Sequence, residues 1–476
     1  MRPLEVFLGC LIFASSLALL SSKVSRGISV PLLIVTAAVL LLHVVIEGTR
    51  LSALPLYLGV CILMLSGFLH FRGAHIVASA IGCDFAIVGL CACYMVPVIS
   101  LPDPGGSFAI GTSVFYFVDP TREEQFARIP GQRREFVAQI WYPARASNGP
   151  TAPYRDIRTL SLKSAHLRLV KTHARSDAPF PATRQKFPVI FFSPAVGGNR
   201  NQNTYLTEAL ASHGYIVVAF DHPDSCARVA FRDGSVISGL PDAWLNLESR
   251  EALAQSAVKT GHILQTNVQD MEFALNRMEG GGTNSKLKAI AGLMDFSRIA
   301  AVGHSFGGAA AAELCRIDPR FRAGINMDGW MFDGVKENGV PRPFLFMIED
   351  DPLWFKNEGP FPDNADGATR WGTLAYHQSI RHSVQLWGGC IARLRNGAHD
   401  DFADPALYRR SWPWRVSRSP SVEAMHEAIK KLTLAFLNQN LKGDRGALES
   451  ARIQLQPYFD LNCRAQAVVT YPRESK

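Results

Sequence analysis

One six-residue stretch, Gly303-His304-Ser305-Phe306-Gly307-Gly308, limits what this chain can fold into more than any other. It follows an apolar run at 299–302 and precedes an alanine-rich run at 309–314 that favours a helix. A serine between glycines at such a junction is typical of a nucleophile elbow, a turn so tight that the flanking residues must be small. The elbow holds the serine hydroxyl at a helix N-terminus, whose dipole favours developing negative charge. The stretch therefore predicts a nucleophile at Ser305.

The first 100 residues differ in composition from the rest of the chain, because they are nearly all apolar, Gly or Ser. Four apolar stretches lie at about 6–20, 28–46, 53–71 and 76–99. The last three approach the roughly 20 residues that a helix needs to cross a bilayer, and the first is marginal. The first also resembles a cleaved signal peptide, which would leave three spans. We expect a transmembrane segment of about four helices over 1–100, in contact with membrane lipids.

The basic residues of the short connections predict an orientation for these helices. Lys23, Arg26 and Arg72 lie on one side of the membrane, and Arg2 and Arg50 lie on the other. Since Lys and Arg are in excess on the cytoplasmic side, three against two favours a multi-pass protein of the cell membrane with its large C-terminal part outside the cytoplasm.

Charge and cysteine usage exclude several classes of function. The net charge of +8 is spread out without a run of Lys or Arg, so nucleic-acid binding has little support. Five of the nine cysteines lie in the apolar stretches, and Cys226, Cys315, Cys390 and Cys463 are scattered without C-x-x-C or metal-ligand spacing. We expect no metal and no cofactor, a disulfide among these four remains open, and the sequence assigns no oligomeric state.

The remainder of the chain alternates strand-like and helical patterns. Continuous apolar runs, typical of strands buried on both faces of a parallel sheet, occur at 188–193, 216–220, 299–302, 323–327, 344–348 and 390–394, after an initial pair at 114–118 and 136–141. Helical periodicity marks 204–212, 266–278 and 422–436, whereas 144–186 and 226–260 look irregular. This order predicts a mainly parallel α/β sheet with an antiparallel start. We expect a catalytic domain over 101–460, after a Pro- and Gly-rich joint at 101–106, and a tail at 461–476.

A serine hydroxyl needs a base beside it, usually a histidine that is oriented by a carboxylate. Four histidines follow Ser305 in the sequence: His377, His382, His399 and His426. His399 is favoured because it follows the strand-like run 390–394 after a short loop, where a base can reach across the sheet towards Ser305. His426 is expected on the solvent side of a helix.

The acid has two candidate positions. Asp328 ends the first strand after the nucleophile's helix, whereas Glu349, Asp350 and Asp351 end the following one. Strand spacing alone leaves both positions open.

A resemblance to a known family bears on this choice. The stretches 303–308 and Phe321-Arg322-Ala323-Gly324-Ile325-Asn326-Met327-Asp328-Gly329-Trp330-Met331-Phe332 resemble the platelet-activating-factor acetylhydrolase family of α/β-hydrolases. His399-Asp400-Asp401-Phe402-Ala403-Asp404 is similar to the segment that carries the family's histidine. The resemblance covers roughly 101–440 and implies an α/β-hydrolase fold, with Asp328 as the triad acid. It also suggests Trp330, Met331 and Phe332 as lining of an acyl pocket, although core packing is an alternative.

Two backbone N–H groups are needed to stabilise the tetrahedral intermediate. Phe306, the residue after the nucleophile, is expected to supply one. By resemblance to the family's H-G-L-G loop, Val196 supplies the other, although Pro194 and Ala195 depart from that pattern here. The pair Asp221-His222, after another strand, is expected to be a hydrogen-bonded structural pair.

Taken together, these residues predict a membrane-anchored serine esterase that uses Ser305, His399 and Asp328 through an acyl-enzyme. The resemblance implies a lipid-like substrate, such as a phospholipid with a short or oxidised sn-2 chain. A general carboxylesterase, thioesterase or polyester hydrolase has the same triad and stays an alternative. A membrane sensor that carries an inactive hydrolase domain is disfavoured because the three residues are intact.

Overall fold

The structure is a computed structural model that describes residues 2–20, 26–68, 72–125, 131–282, 284–355, 361–408 and 420–465. The chain divides into two compact units. The first comprises Met1–Ser100, Pro153–Lys171 and a stretch that begins at Leu407, and the second contains the remainder. The boundary predicted after residue 100 reappears, but Pro153–Lys171, which was predicted as part of a catalytic-domain loop, packs with the first unit.

Four helices form most of the first unit: α1 (Pro3–Leu20), α2 (Arg26–Ile46), α3 (Leu54–Phe68) and α4 (Arg72–Met95). Pro3–Leu20, Ile28–Ile46 and His75–Met95 are long and apolar enough to cross a membrane, whereas the described part of α3 is shorter. The first stretch, which was expected to be marginal, therefore qualifies, and the last residues of the third predicted stretch lie outside the described part of the chain. Close packing explains two glycines: a Cβ on Gly89 would lie 2.7 Å from Leu56, and one on Gly9 would lie 2.8 Å from Leu90.

A buried ion-pair cluster joins these helices at one end. The Glu5 carboxylate accepts hydrogen bonds from Arg2 at 2.7 Å and from Arg50 at 2.5 Å, and Arg50 also donates to the carbonyl oxygen of Cys93. Arg2 and Arg50, the two basic residues that the sequence places on the same side of the membrane, are therefore both paired with Glu5.

The second unit is built on a sheet of eleven strands in the order β13-β12-β11-β10-β9-β5-β6-β2-β1-β4-β3, and β7 and β8 form a separate ribbon. The strands are β1 (Ala109–Glu123), β2 (Arg133–Ala144), β3 (Thr151–Pro153), β4 (Lys171–Ser176), β5 (Phe187–Ser193), β6 (Ile216–Asp221), β7 (Arg228–Ala230), β8 (Val236–Ser238), β9 (Met294–His304), β10 (Phe321–Met327), β11 (Phe344–Ile348), β12 (Gly389–Leu394) and β13 (Phe459–Arg464). All eight predicted strands are confirmed. β6, β5, β9, β10, β11 and β12 run parallel, and β1 and β2 form the antiparallel start.

Nine further helices lie in the described residues after the first four: α5 (Thr204–Ser212), α6 (Arg250–Glu279), α7 (Ser285–Leu293), α8 (Phe306–Ile317), α9 (Asp333–Asn338), α10 (Ala365–Trp387), α11 (Pro405–Tyr408), α12 (Val422–Leu437) and α13 (Ala447–Gln454). The predicted helices at 204–212, 266–278 and 422–436 are confirmed. The irregular segment predicted for 226–260 is wrong over its last part, because α6 begins at Arg250, where Ser249 caps it by accepting from the N–H of Ala252.

The central strands bring the site together because parallel strands end at the same edge of a sheet. Every residue of β5 and β6 is buried, which explains their continuous apolar sequences. β5, β9 and β10 are neighbours, so Ser193, His304 and Met327 end side by side.

The sheet continues further along the chain than expected. β13 pairs antiparallel with β12, and the boundary predicted at 460/461 falls inside this strand. Cys390 and Cys463 are opposite each other in the two strands and form a disulfide, a pairing that the sequence left open.

Candidate active site

Ser305 lies at the junction of β9 and α8, as a nucleophile elbow requires. Its backbone has φ 55° and ψ −124°, and its N–H donates to the carbonyl oxygen of Met327 at 2.8 Å. Ser305 is half-buried, whereas its neighbours His304 and Phe306 are fully enclosed. The serine is thus the accessible residue of the turn.

Steric crowding accounts for the glycines around Ser305. A Cβ on Gly303 would lie 2.0 Å from the carbonyl oxygen of Gly307, and one on Gly307 would lie 1.9 Å from that of Ser193. Gly308 is equally constrained, since its Cβ would lie 2.3 Å from Oδ1 of Asn326. Gly307 and Gly308 are therefore required by the contacts of the elbow with β5 and β10, and Gly303 is required by the tight turn of the elbow itself.

Asp328 and His399 meet by a direct hydrogen bond at this edge of the sheet. The Nδ1–H of His399 donates to Oδ2 of Asp328 at 2.6 Å. Asp328 has a φ of 58°, and the Asn326 side chain braces this turn by accepting from the N–H of Gly329 at 2.6 Å and donating to its carbonyl oxygen at 2.8 Å. The Asp328 side chain is 5 % exposed and that of His399 is 43 % exposed, so solvent reaches the base but hardly the acid.

Nearby charges set the protonation of His399. Desolvation lowers the pKa of His399, but the hydrogen bond and the charge of Asp328, followed by Glu349 and Asp400, outweigh it, so the pKa is raised above 6.5. Burial, followed by repulsion from Asp328, raises the pKa of Glu349 to about 7. Glu349 accepts a hydrogen bond from the backbone N–H of His399 at 2.9 Å and thereby holds the loop, while Asp328 contacts the ring.

The other candidate acids point elsewhere. Asp350 pairs with Arg393 and accepts from the N–H of Asn396 at 2.7 Å. Asp351 accepts from the N–H of Leu353 at 2.8 Å. Of the three acidic residues that follow β11, Glu349 alone hydrogen-bonds His399 within the described residues.

The loop after β5 carries the expected second oxyanion donor, Val196. The Gly197 N–H donates to the carbonyl oxygen of Ser225 at 2.7 Å, and the Gly198 N–H donates to that of Ala195 at 2.9 Å. Within the described residues, the N–H groups of Val196 and Phe306 donate to no other group of the chain. Both remain available to an oxyanion, although Pro194 has replaced the family's histidine in the loop.

Comparison with known proteins places the chain in a family. The family model described as "Platelet-activating factor acetylhydrolase, isoform II" matches residues 97–447. The chain belongs to this family. A platelet-activating factor acetylhydrolase of Cavia porcellus is 28% identical over 269 residues, which cover 52% of this chain and 60% of that protein. A probable 1-alkyl-2-acetylglycerophosphocholine esterase of Arthroderma benhamiae is 26% identical over 76% of this chain and 88% of that protein.

The solved structure of a ferulic acid esterase from Streptomyces cinnamoneus superposes with a TM-score of 0.57 at 24% identity, over 73% of this chain and 94% of that one. This likeness confirms the α/β-hydrolase fold. The chain spans about 60% of the length of the mammalian acetylhydrolases that it matches.

The other three histidines that follow Ser305 in the sequence contact residues outside the proposed triad. His377 is buried against the Trp354 ring, and His382 donates to the carbonyl oxygen of Glu337 at 3.0 Å. The expectation that His426 faces solvent is wrong, because it is fully buried and stacks on Tyr205 with ring centroids 4.1 Å apart. Burial lowers the pKa of His426 to about 3.

Asp221 and His222 were expected to form a hydrogen-bonded pair, but each is bonded to a different residue. His222 donates from Nδ1 to Asp270 at 3.0 Å, and its Nε2 lies 3.3 Å from Oγ of Ser193, whereas Asp221 pairs with Arg200. Ser193, His222 and Asp270 resemble a second triad, but all three side chains are enclosed. Asp270 also binds the buried Arg134, so this cluster stabilises the interior.

A mainly apolar pocket of about 320 Å³ lies beside the site. Trp330, Met331 and Phe332 line it together with Leu245, Trp371 and Tyr376, and Met331 and Phe332 also belong to the buried core. The Phe306 ring is 6.0 Å from that of Phe332, which connects the pocket wall to the elbow. Burial, followed by the charges of Asp328 and Glu349, raises the pKa of Tyr376 far above its usual value, so the hydroxyl of this pocket residue is neutral.

Sequence reasoning missed two polar residues around this site, Gln202 and Asn326. It named Glu349 as a candidate acid but missed that its carboxylate holds the loop of His399. Asn326 was inside the quoted family stretch, and its position two residues before Asp328 was the available signal. Gln202 had no comparable signal, because the partner that links it to the site, His304, is 102 residues away in sequence.

Proposed function

We propose that the protein is a membrane-anchored serine hydrolase that cleaves carboxylic esters, with Ser305 as nucleophile, His399 as general base and Asp328 as the orienting acid. The observation that carries this proposal is the 2.6 Å hydrogen bond between His399 and Asp328, at the sheet edge where the Ser305 elbow also lies. Family membership supports it, since the relatives carry the names of an acetylhydrolase and an esterase.

The proposed reaction follows from these groups. His399 accepts the Ser305 proton at Nε2 as Oγ forms a bond to the carbonyl carbon, and the N–H groups of Val196 and Phe306 stabilise the oxyanion. The imidazolium then donates its proton to the leaving alkoxide, which departs as the alcohol. A water molecule then gives a proton to His399 as it attacks the acyl-enzyme, and His399 passes this proton to Oγ of Ser305 as the carboxylic acid leaves. Asp328 holds the imidazole in the required tautomer and stabilises its positive charge.

The substrate class is inferred from relatives and from the pocket. The apolar pocket favours an uncharged acyl group. The Arthroderma relative is named for an acetyl ester of a glycerophosphocholine, so we propose short or oxidised sn-2 chains of phospholipids as substrates. Simple carboxylic esters, thioesters and polyesters, which the same triad can cleave, are the alternatives that a substrate series separates.

Membrane anchoring and orientation are part of the proposal. Three described helices have the length and apolar composition of membrane spans. The disulfide between Cys390 and Cys463 favours an oxidising compartment, and hence an extracytoplasmic catalytic domain. This agrees with the basic residues Lys23, Arg26 and Arg72, which favour the cytoplasm for the opposite side.

A fluorophosphonate probe tests the nucleophile directly. The full-length protein in detergent should be labelled at Ser305, as found by peptide mass spectrometry, and Ser305→Ala should abolish labelling. Ser297→Ala, which removes a serine that only hydrogen-bonds Asp295, is the matched control and should label normally. An unlabelled wild-type protein would reject the enzyme assignment. For the labelled enzyme, p-nitrophenyl esters of increasing length and phospholipids with varied sn-2 chains then define the substrate.

A further inference from the structure

A continuous hydrogen-bond chain crosses the site from the oxyanion loop to the loop of the base. The Ala195 N–H donates to Oε1 of Gln202 at 2.7 Å, and Nε2 of Gln202 lies 3.2 Å from Nδ1 of His304. Nε2 of His304 lies 2.9 Å from the carbonyl oxygen of His399. The Gln202 and His304 side chains thus connect Ala195, the neighbour of Val196, to His399.

The direction of every hydrogen bond in this chain is determined. Because the Ala195 N–H can only donate, the Gln202 amide presents its oxygen there and its NH₂ to His304. Because the His399 carbonyl can only accept, His304 carries its proton on Nε2, and Nδ1 is left to accept from Gln202. Desolvation, followed by the charge of His399, lowers the pKa of His304 to about 3, so the ring is neutral as this arrangement requires.

The Gln202 and His304 side chains are both enclosed, so this series of hydrogen bonds is buried. Gln202 is 7% exposed and His304 is 1% exposed. The Gln202 backbone joins the same two loops, since its carbonyl oxygen accepts from the N–H of Asp404 at 3.0 Å. A Cβ on Gly198 would lie 2.3 Å from Oε1 of Gln202, so the oxyanion loop closes directly over this side chain.

We propose that Gln202 and His304 are positioning residues that hold the Val196 N–H of the oxyanion loop in register with the base His399. The inference rests on the proposed function, since it takes Ser305, His399 and Val196 as the reacting groups. Neither Gln202 nor the His304 ring takes part in proton transfer. Their effect is exerted through the peptide of Ala195 and the carbonyl of His399, the two ends of the chain.

Methionine and phenylalanine variants test the coupling. Gln202→Met and His304→Phe keep the approximate shape of each side chain and remove its hydrogen bonds. Each should lower kcat of full-length protein on a water-soluble p-nitrophenyl ester by about 10- to 100-fold, less than the loss of an oxyanion donor, with KM nearly unchanged. The double variant should match the more affected single variant, because either change breaks the same chain. Gln265→Met, which removes a hydrogen bond from Gln265 on α6 to Glu313 on α8, is the matched control and should keep wild-type kcat.

A pH profile separates positioning from a general loss of packing. The carboxylate of Gln202→Glu can still accept from Ala195, but it faces Nδ1 of His304, so His304 must carry a second proton to restore the chain. His399, Asp328 and Asp400 are the other titratable groups that act on His304. As the pH rises and His304 loses that proton, the introduced carboxylate and Nδ1 of His304 face each other as two acceptors. The kcat of Gln202→Glu should therefore fall with rising pH over the range in which the wild-type kcat is constant.

The outcomes separate this inference from the proposed function. Wild-type kcat in Gln202→Met, additive losses in the double variant, or an unchanged alkaline plateau in Gln202→Glu would each overturn the positioning role. If Gln202→Met does not fold, as judged by its thermal transition, the Gln202→Glu profile alone decides. A wild-type protein that no fluorophosphonate labels at Ser305 rejects the proposed function instead.

Discussion

Ser305 and Asp328 have a backbone conformation that residues other than glycine rarely adopt. Among the described residues, only Asp177, Ser305, Asp328 and Asn396 are non-glycine residues with positive φ. Such conformations cost about 1–3 kcal/mol each and persist where the surrounding structure imposes them. Here the elbow's close contacts impose one, and the Asn326 side chain imposes the other. Two of these four residues are thus the ones on which the proposed chemistry depends.

The acid–base pair predicts a specific pH dependence. His399 must be neutral to act as a base, so kcat/KM should rise with pH through a His399 pKa above 6.5 and then reach a plateau. Asp328→Asn removes the group that raises this pKa, so the rise should move to lower pH while the plateau falls by about 10⁴-fold. Asp350→Asn, which alters the partner of Arg393, should change neither feature. Steady-state hydrolysis between pH 5 and 9 measures both, and an equal loss in Asp350→Asn would contradict the assignment of the acid.

At the scale of elements, burial on both faces made the central strands predictable. β5 and β6 consist of buried residues, so their apolar runs are continuous. The start of α6 was missed because Leu253 is the only buried residue in its first ten, which leaves no apolar period to detect. β13 was missed for a related reason, since Phe459 is its only buried residue and pairing with β12 determines its conformation.

The packing of α8 on β5 predicts a glycine requirement. Gly307→Ala places a Cβ 1.9 Å from the carbonyl oxygen of Ser193, so the helix or the strand must shift. We expect a loss of about 1–3 kcal/mol in stability and markedly slower fluorophosphonate labelling. Gly292→Ala, on α7 with open space around it, should be neutral or gain about 0.5–1 kcal/mol. Thermal unfolding and labelling rates measure these effects, and a Gly307→Ala variant with a normal labelling rate would contradict the close contact.

At the scale of the whole molecule, pairs of residues that are distant in sequence hold the second unit together. The disulfide joins residues 73 positions apart, and Arg134 binds Asp270, Asp224 and Glu124 from three other segments. Both features stabilise the unit from within: the disulfide restrains the unfolded chain, and the buried arginine compensates charges that would otherwise be costly to bury.

The disulfide also predicts the cellular compartment in which the second unit lies. Protein purified without reductant should contain a disulfide-linked peptide pair with Cys390 and Cys463, seen by mass spectrometry. Cys463→Ser should lower the free energy of unfolding by about 2–4 kcal/mol, whereas Cys10→Ser, which removes a free thiol of α1, should leave the stability of this unit unchanged. Free thiols at both positions in freshly isolated membranes would contradict the extracytoplasmic assignment.

The sequence by itself determined the features that depend on local order: the elbow at Ser305, the buried parallel strands and the apolar helices of the first 100 residues. It also ranked His399 above its competitors, and a family resemblance selected Asp328. Only the tertiary structure decided the contacts between distant segments: the partners of His222, the pair Cys390–Cys463, and the link from Ala195 through Gln202 and His304 to His399. The reason is physical, because a periodic pattern reports which face of an element is buried but not which distant side chain it meets there.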